Sequence, residues 1–331
     1  MIQPICCATK GDSPRVVFFG RKPGGAVALR VLHAMKWNVI GVVVPDNGEP
    51  DWLPSPHVRS VASELGLPVV TQGELRDKLQ GDSLRRPHFL MSYLYPSKIM
   101  PDVLRFPEIA AINFHPGPLP RLGGWGQYIH TIVSGSRSYG VACHVMTDEL
   151  DRGAVIARRE FKIDPTQETA LSLERKSQYE LLALFHEVCS RILNGETLEV
   201  DPRPLERYVS RAEVEAIRLI PGQCSAEEIA ARARAFWYPP YPGASLSSLG
   251  DGLTIVPSSV LKDIGEDIHR SDYEGLWQLG RSLIETGQDA VVHLEVRSAP
   301  QDPLDRDAGG SPDGAGPGDD SQRRPPQPGL L

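Results

Sequence analysis

The chain has 331 residues, 40% hydrophobic and 23% charged, with a net charge of −7. This is the composition of a soluble globular protein long enough for one large domain and a smaller one. The acidic balance argues against broad contact with nucleic-acid phosphates, and no apolar run reaches the ~18 residues of a membrane span.

The opening residues MIQPICCATK lack a basic segment followed by an apolar stretch, so no secretory signal is expected. Five cysteines, at 6, 7, 143, 189 and 224, show no metal-binding spacing. They are expected to be reduced thiols in a cytoplasmic protein, with Cys6-Cys7 in a frayed terminus.

Arg15 to Phe19 is a short apolar run between Pro14 and Gly20 and predicts a buried strand. Helical spacing follows over Ala26 to Met35, then a second apolar run over Trp37 to Val44. Val58 to Leu65 predicts a helix with Ser55 as N-cap, followed by a short strand at Pro68 to Val70. Phe89 to Ser92 and Ala110 to Asn113 predict two further strands. This alternation implies an α/β fold, a Rossmann-like and mainly parallel sheet with helices on both faces.

Gly140 to Met146 and Val155 to Phe161 continue as strands, and Asp164-Pro-Thr166 is a cap signal for a long helix reaching Leu193. Beyond about residue 200 the texture becomes that of a small α+β unit. It has helices at 225–236 and 271–286, with short β runs at 244–249, 252–260 and 290–296. The last 34 residues hold seven prolines and six glycines, the composition of a solvated tail. The expected division is a flexible terminus over 1–13, a catalytic domain over 14–200, a subdomain over 201–297 and a disordered tail over 298–331.

Candidate chemistry lies in AINFHPGPLPRLGGWG, residues 111–126. Asn113 and His115 share one face of an extended chain. They fall where ligands bind in open α/β sheets, at the carboxyl ends of the strands. An Asn amide can donate to a developing oxyanion, and a neutral His can exchange a proton near neutral pH. Asp151, in the loop after GVACHVM, can orient the imidazole. Residue chemistry alone fits a structural pair as well as an acyl-transfer or hydrolytic site. Gly20-Arg-Lys-Pro-Gly24-Gly25 matches neither G-x-G-x-x-G nor the P-loop, and predicts a strand-to-helix turn. His144 reads as a packed core histidine, and Trp237, Tyr238 and Tyr241 as cement between subdomains.

The ordered set Asn113-x-His115-Pro116-x-x-Leu119-Pro120-Arg121, Gly140-Val141 and Leu150-Asp151-x-Gly153 resembles the signature of the folate-dependent formyltransferases. Pro54-Ser-Pro56, Ile99-Met100-Pro101 and Ala235 to Ala244 extend that resemblance over about residues 15 to 260. It implies Asn113, His115 and Asp151 as the catalytic trio and N10-formyltetrahydrofolate as formyl donor, with no metal. It implies a pterin pocket near Ser92, Tyr93, Ile99, Met100, Thr147 and Leu150, while Trp125 and Tyr128 read equally as core residues or as stacking partners for the acceptor's base or sugar ring.

Pro45 to Leu53 carries three acids and no base, and residues 201–297 hold 10 Lys and Arg against 15 Asp and Glu. Gly117-Pro118 and Leu122-Gly-Gly-Trp125 also depart from the tRNA-modifying members. The resemblance therefore points to the sugar N-formyltransferases and to a dTDP-linked 4-amino-4,6-dideoxyhexose of polysaccharide biosynthesis. A small-molecule nucleotide sugar is the expected partner, without nucleic acid or membrane, and a homodimer stays open. Methionyl-tRNA formylation and formyltetrahydrofolate hydrolysis are the alternatives.

Overall fold

The computed structural model describes residues 4–7, 13–45, 53, 55–246, 254–263 and 272–286. In chain order the elements are β1 (Ile5–Cys6), β2 (Arg15–Gly20), α1 (Lys22–Ala34), β3 (Asn38–Val43), α2 (Val58–Glu64), β4 (Val69–Val70) and α3 (Gln72–Gln80). β5 (Phe89–Tyr93), β6 (Ala110–His115), β7 (Gly123–Gly124), α4 (Gln127–Val133), β8 (Ser138–Val145), β9 (Val155–Lys162) and α5 (Ala170–Leu193) follow. The rest comprises β10 (Thr197–Leu198), β11 (Tyr208–Val209), α6 (Arg211–Arg218), β12 (Leu219–Ile220), α7 (Ala226–Ala235), β13 (Ser245–Leu246) and α8 (Asp272–Thr286).

Seven strands form the central sheet in the order β4-β3-β2-β5-β6-β8-β9. The first five are parallel, and β8 and β9 close the sheet antiparallel. Every residue of β2 and β5 is buried, as strands covered on both faces require. On one face Phe18, Tyr93, Phe114 and Phe185 pack with α1 and α5. On the other, Val17, Phe19 and Leu90 meet Leu75 and Leu79 of α3. The chain leaves β2 toward β3 and β4, then returns to place β5 on its other side. The order reverses between β2 and β5, which opens a crevice at their carboxyl ends.

Local chemistry sets several helix starts. Thr71 and Glu74 form a capping box on α3, Thr169 and Ser172 on α5, and Ser225 and Glu228 on α7. The cap of α5 is thus Thr169, because Asp164 spends its carboxylate on the backbone and hydroxyl of Thr166. Ser55 does not cap α2, whose N-cap is His57.

The N-terminus departs from expectation. Ile5 and Cys6 pair with Leu198 and Thr197, and Cys7 is buried in the main core. Burial, with Cys6 alongside, pushes its thiol up to about 11. The alternation Ile-Cys-Cys is too short to announce that pairing. The late helix α8 also differs in role. Its Leu276, Leu279 and Leu283 belong to the same core as α1 and α5, so this late helix packs onto the sheet's helical layer. The expected strand at 290–296 and tail at 298–331 lie outside the described residues. Among the described residues, no helix is long and apolar enough to cross a membrane.

Candidate functional site

β6 ends in Asn113-Phe114-His115, and strand alternation divides these side chains. Phe114 enters the core against Phe185, with ring centroids 4.7 Å apart, while Asn113 and His115 face the other way. Neighbouring β8 brings His144 opposite Asn113. The Nδ1–H of His144 donates to the Val145 carbonyl at 2.9 Å, which leaves its Nε2 to accept from the Asn113 amide at 3.1 Å. Burial holds the His144 imidazole well below its ordinary range, only partly offset by Asp151.

Asp151 closes the group from the loop after β8. Its backbone is left-handed, with φ +58°, a conformation few side chains adopt. Oδ2 accepts the Gly124 N–H at 2.8 Å, and Oδ1 lies 3.4 Å from His115 Nδ1 and 3.9 Å from His144 Nε2. Gly153 makes the turn possible, since a Cβ there would lie 1.7 Å from the Val145 carbonyl oxygen. On the other side, Gly117 lets the Pro-Gly loop pass close to the imidazole; its Cβ would stand 2.6 Å from His115 Nε2. The Tyr139 hydroxyl donates to the Pro116 carbonyl at 2.8 Å and pins that loop. The predicted trio is therefore assembled, with His144 and Gln127 as further partners of its side chains.

A cavity of about 540 Å³ opens from this trio. One wall runs from Ser92 through Leu94 and Tyr95 to Ile99 and Leu104, facing Met146, Thr147 and Leu150. Arg21 and Lys22, where α1 leaves β2, also line it, as do Trp125, Tyr208 and Arg211. The Arg211 guanidinium sits 5.7 Å from the Trp125 ring centroid. Lys22 is tied by Glu174 at 3.1 Å and Tyr238 at 3.3 Å, so Tyr238 joins the first strand-to-helix turn to the later segment. Gln178 also lines the cavity, yet both polar atoms of its buried amide lack a protein partner.

Ser92, Ile99, Thr147 and Leu150 line this cavity as expected, but Tyr93 and Met100 do not. Tyr93 falls on the core side of β5, its ring 5.4 Å from that of Phe185. Met100 packs against the α3 face of the sheet while its N–H donates to Gln72. Tyr128 reaches the wall, but its ring packs on Tyr139 and its hydroxyl on Ser177 at 2.8 Å. Tyr208 and Arg211 escaped sequence reasoning because they lie far along the chain. β11 carries them back, pairing in parallel with β7 beside Trp125. Polar Gln127 at a helix start gave no signal.

An Asn-His-Asp cluster at the end of a central strand of an α/β sheet thus opens into a cavity of small-molecule size. Residues 87–188, which include Asn113, His115 and Asp151, match the formyl transferase family, and the chain carries a formyl transferase domain. The chain is 27% identical over 298 residues to a methionyl-tRNA formyltransferase of Chloroflexus aurantiacus, covering 88% of this chain and 94% of that protein. Its fold matches WlaRD, a sugar 3N-formyl transferase solved with dTDP and 5-N-formyl-THF. The TM-score is 0.58 at 18% identity, over 72% of this chain and 84% of that one. The N-formyltransferase from Helicobacter canadensis, in complex with folinic acid and dTDP-3-aminofucose, gives a TM-score of 0.56 at 19% identity. That match covers 71% of this chain and 85% of the other.

Proposed function

We propose that this protein moves a formyl group from N10-formyltetrahydrofolate to the amine of a nucleotide-linked amino sugar, a dTDP-4-amino-4,6-dideoxyhexose being the expected acceptor. The observation that carries this reading is the shared cavity. The trio lines it together with the cations Arg21, Lys98 and Arg211, while the charge of Lys22 is met by Glu174. A volume near 540 Å³ suits a small ligand, and a few cations match a diphosphate, whereas a tRNA stem needs many.

The residues present fit a folate. Ile99, Leu104, Met146 and Leu150 offer apolar walls for a flat ring, and Leu150 is 49% exposed, an apolar surface a bound ring would cover. When bound, the folate supplies an activated formyl carbon. The remaining work falls to the chain. Asn113, its amide held by His144, keeps a second N–H that would donate to the carbonyl oxygen gaining charge as the amine attacks. His115 would take the proton the amine sheds and return it to the departing folate nitrogen as that nitrogen's bond to the formyl carbon breaks, while Asp151 orients the ring and faces the positive charge it briefly carries.

The likeness to a methionyl-tRNA formyltransferase over most of the chain favours a second reading, in which the acceptor is a charged tRNA. Formyl release from the donor, measured with and without added amino sugar, tests the first reading. Release that requires the amine and yields a product 28 mass units heavier, the arithmetic of replacing N–H by N–CHO, supports transfer. Release indifferent to the amine indicates a hydrolase.

A further inference from the structure

We propose that Gln127 is a positioning residue that holds His115 as the neutral imidazole with its proton on Nδ1. The inference rests on the catalytic reading of His115, but its principal test needs neither donor nor acceptor. Gln127 is the first residue of α4, a position where a glutamine ordinarily extends into water. Here it is 5% exposed and folds back between the β7 backbone and the imidazole.

The hydrogen bonds around it fix the proton inventory. The Gln127 amide nitrogen donates to the Gly124 carbonyl, a group that can only accept, so this end of the amide is the nitrogen. The same nitrogen lies 3.0 Å from His115 Nε2 and has one hydrogen left to give. Nε2 is therefore the acceptor and carries the lone pair. The ring proton sits on Nδ1, the atom that faces Asp151 Oδ1 at 3.4 Å.

An imidazolium would present an N–H at Nε2 to the Gln127 N–H, donor against donor. Turning the amide over would relieve that clash but set its oxygen against the Gly124 carbonyl. Gln127 must therefore yield when His115 takes a proton, and until then it favours the form able to accept one. The other titratable groups facing the ring are Asp151 and His144, whose ring centroid lies 6.1 Å from that of His115. Burial disfavours a proton on the His144 ring, so that ring adds no positive charge beside His115.

The same backbone that fixes Gln127 also fixes Asp151, since Gly124 offers its carbonyl to one and its N–H to the other. Gly124 is held in turn by β11, and a Cβ on it would come within 2.4 Å of the Val209 carbonyl oxygen. The two side chains that meet the ring nitrogens of His115 thus share a single anchor.

Nitrogen-15 NMR of histidine-labelled full-length protein near pH 7.5 reads the tautomer directly. A His115 resonance pattern of protonated Nδ1 and bare Nε2 is expected in the wild type. A protonated Nε2 there would overturn the proposal whatever the variants do. Gln127→Leu should lose the preference for the Nδ1–H form. It should lower kcat on the order of tenfold, the loss of one net hydrogen bond, with KM for the donor unchanged. The acid limb of its pH–rate profile should move to higher pH. Gln127→Glu, of the same shape, should move that limb further the same way and serves where the leucine variant fails to fold. A folded variant with wild-type tautomer and wild-type pH profile would equally overturn the assignment.

Discussion

Asn113 and His144 face each other across β6 and β8 with Nδ2 and Nε2 3.1 Å apart, and this contact decides how the Asn113 amide is presented. The Val145 carbonyl holds the His144 proton on Nδ1, so the ring can only accept from Asn113. His144→Leu removes the acceptor and leaves the half-buried Asn113 amide without it, at a cost of about 0.5–1.5 kcal/mol. The expected outcome is a lower melting temperature together with a fall in kcat, read by calorimetry and steady-state turnover.

The same ring gives a pH dependence of stability. Burial lowers the proton affinity of folded His144, while in the unfolded chain it titrates near the ordinary value of 6.5. Below that value the unfolded chain takes up a proton that the folded chain refuses. This contribution is therefore present above about pH 6.5 and is lost as pH falls toward the folded value. Melting curves from about pH 7.5 down to 5 should show the wild type losing stability more steeply than His144→Leu.

Gly117 tests the fit of the loop against the imidazole. An alanine Cβ would stand 2.6 Å from His115 Nε2, so the ring or the loop must shift. Gly117→Ala should fold normally and lose about 10²-fold in kcat, the scale of a small misplacement of a reacting group. Turnover at the wild-type rate would show that the loop adjusts without moving His115.

Arg211 tests the acceptor side. It is exposed, lies over Trp125 and lines the cavity. Arg211→Ala should raise KM for an anionic acceptor about fivefold and leave kcat nearly unchanged, as for a solvent-screened contact made equally in ground and transition states. Initial rates over a range of acceptor concentration separate the two constants.

The position of α8 is testable without any substrate. Leu279 is buried in the core shared by α1 and α5, and Leu279→Ala should cost about 2–5 kcal/mol. A single cooperative transition at lower temperature is expected in calorimetry. A separate early transition would show that α8 belongs to an independently melting unit.

The sequence announced what periodicity and strand ends encode. Apolar runs marked β2, β3 and β5, and the i, i+2 spacing of Asn113 and His115 put both on one face. What it hid was contact between distant segments. Tyr93 sits one residue beyond Ser92, so alternation turns it into the core while Ser92 faces the cavity. Tyr208 and Arg211 reach the site only through the pairing of two-residue strands, too short to show a period. Gln127 takes its role from a backbone carbonyl, which no side-chain pattern reveals.

The central claim is formyl transfer to a small anionic amine by Asn113, His115 and Asp151. The most direct measurement supplies N10-formyltetrahydrofolate with a dTDP-amino sugar or with methionyl-tRNA, side by side at low and high salt. The formylated product is then counted for wild type, Asn113→Ala and His115→Ala. Formylated sugar with weak salt dependence is expected, reduced about 10²–10³-fold by Asn113→Ala and about 10²–10⁴-fold by His115→Ala. Robust formylation of the charged tRNA that falls steeply with salt would contradict the sugar acceptor, and wild-type turnover in either variant would contradict the site.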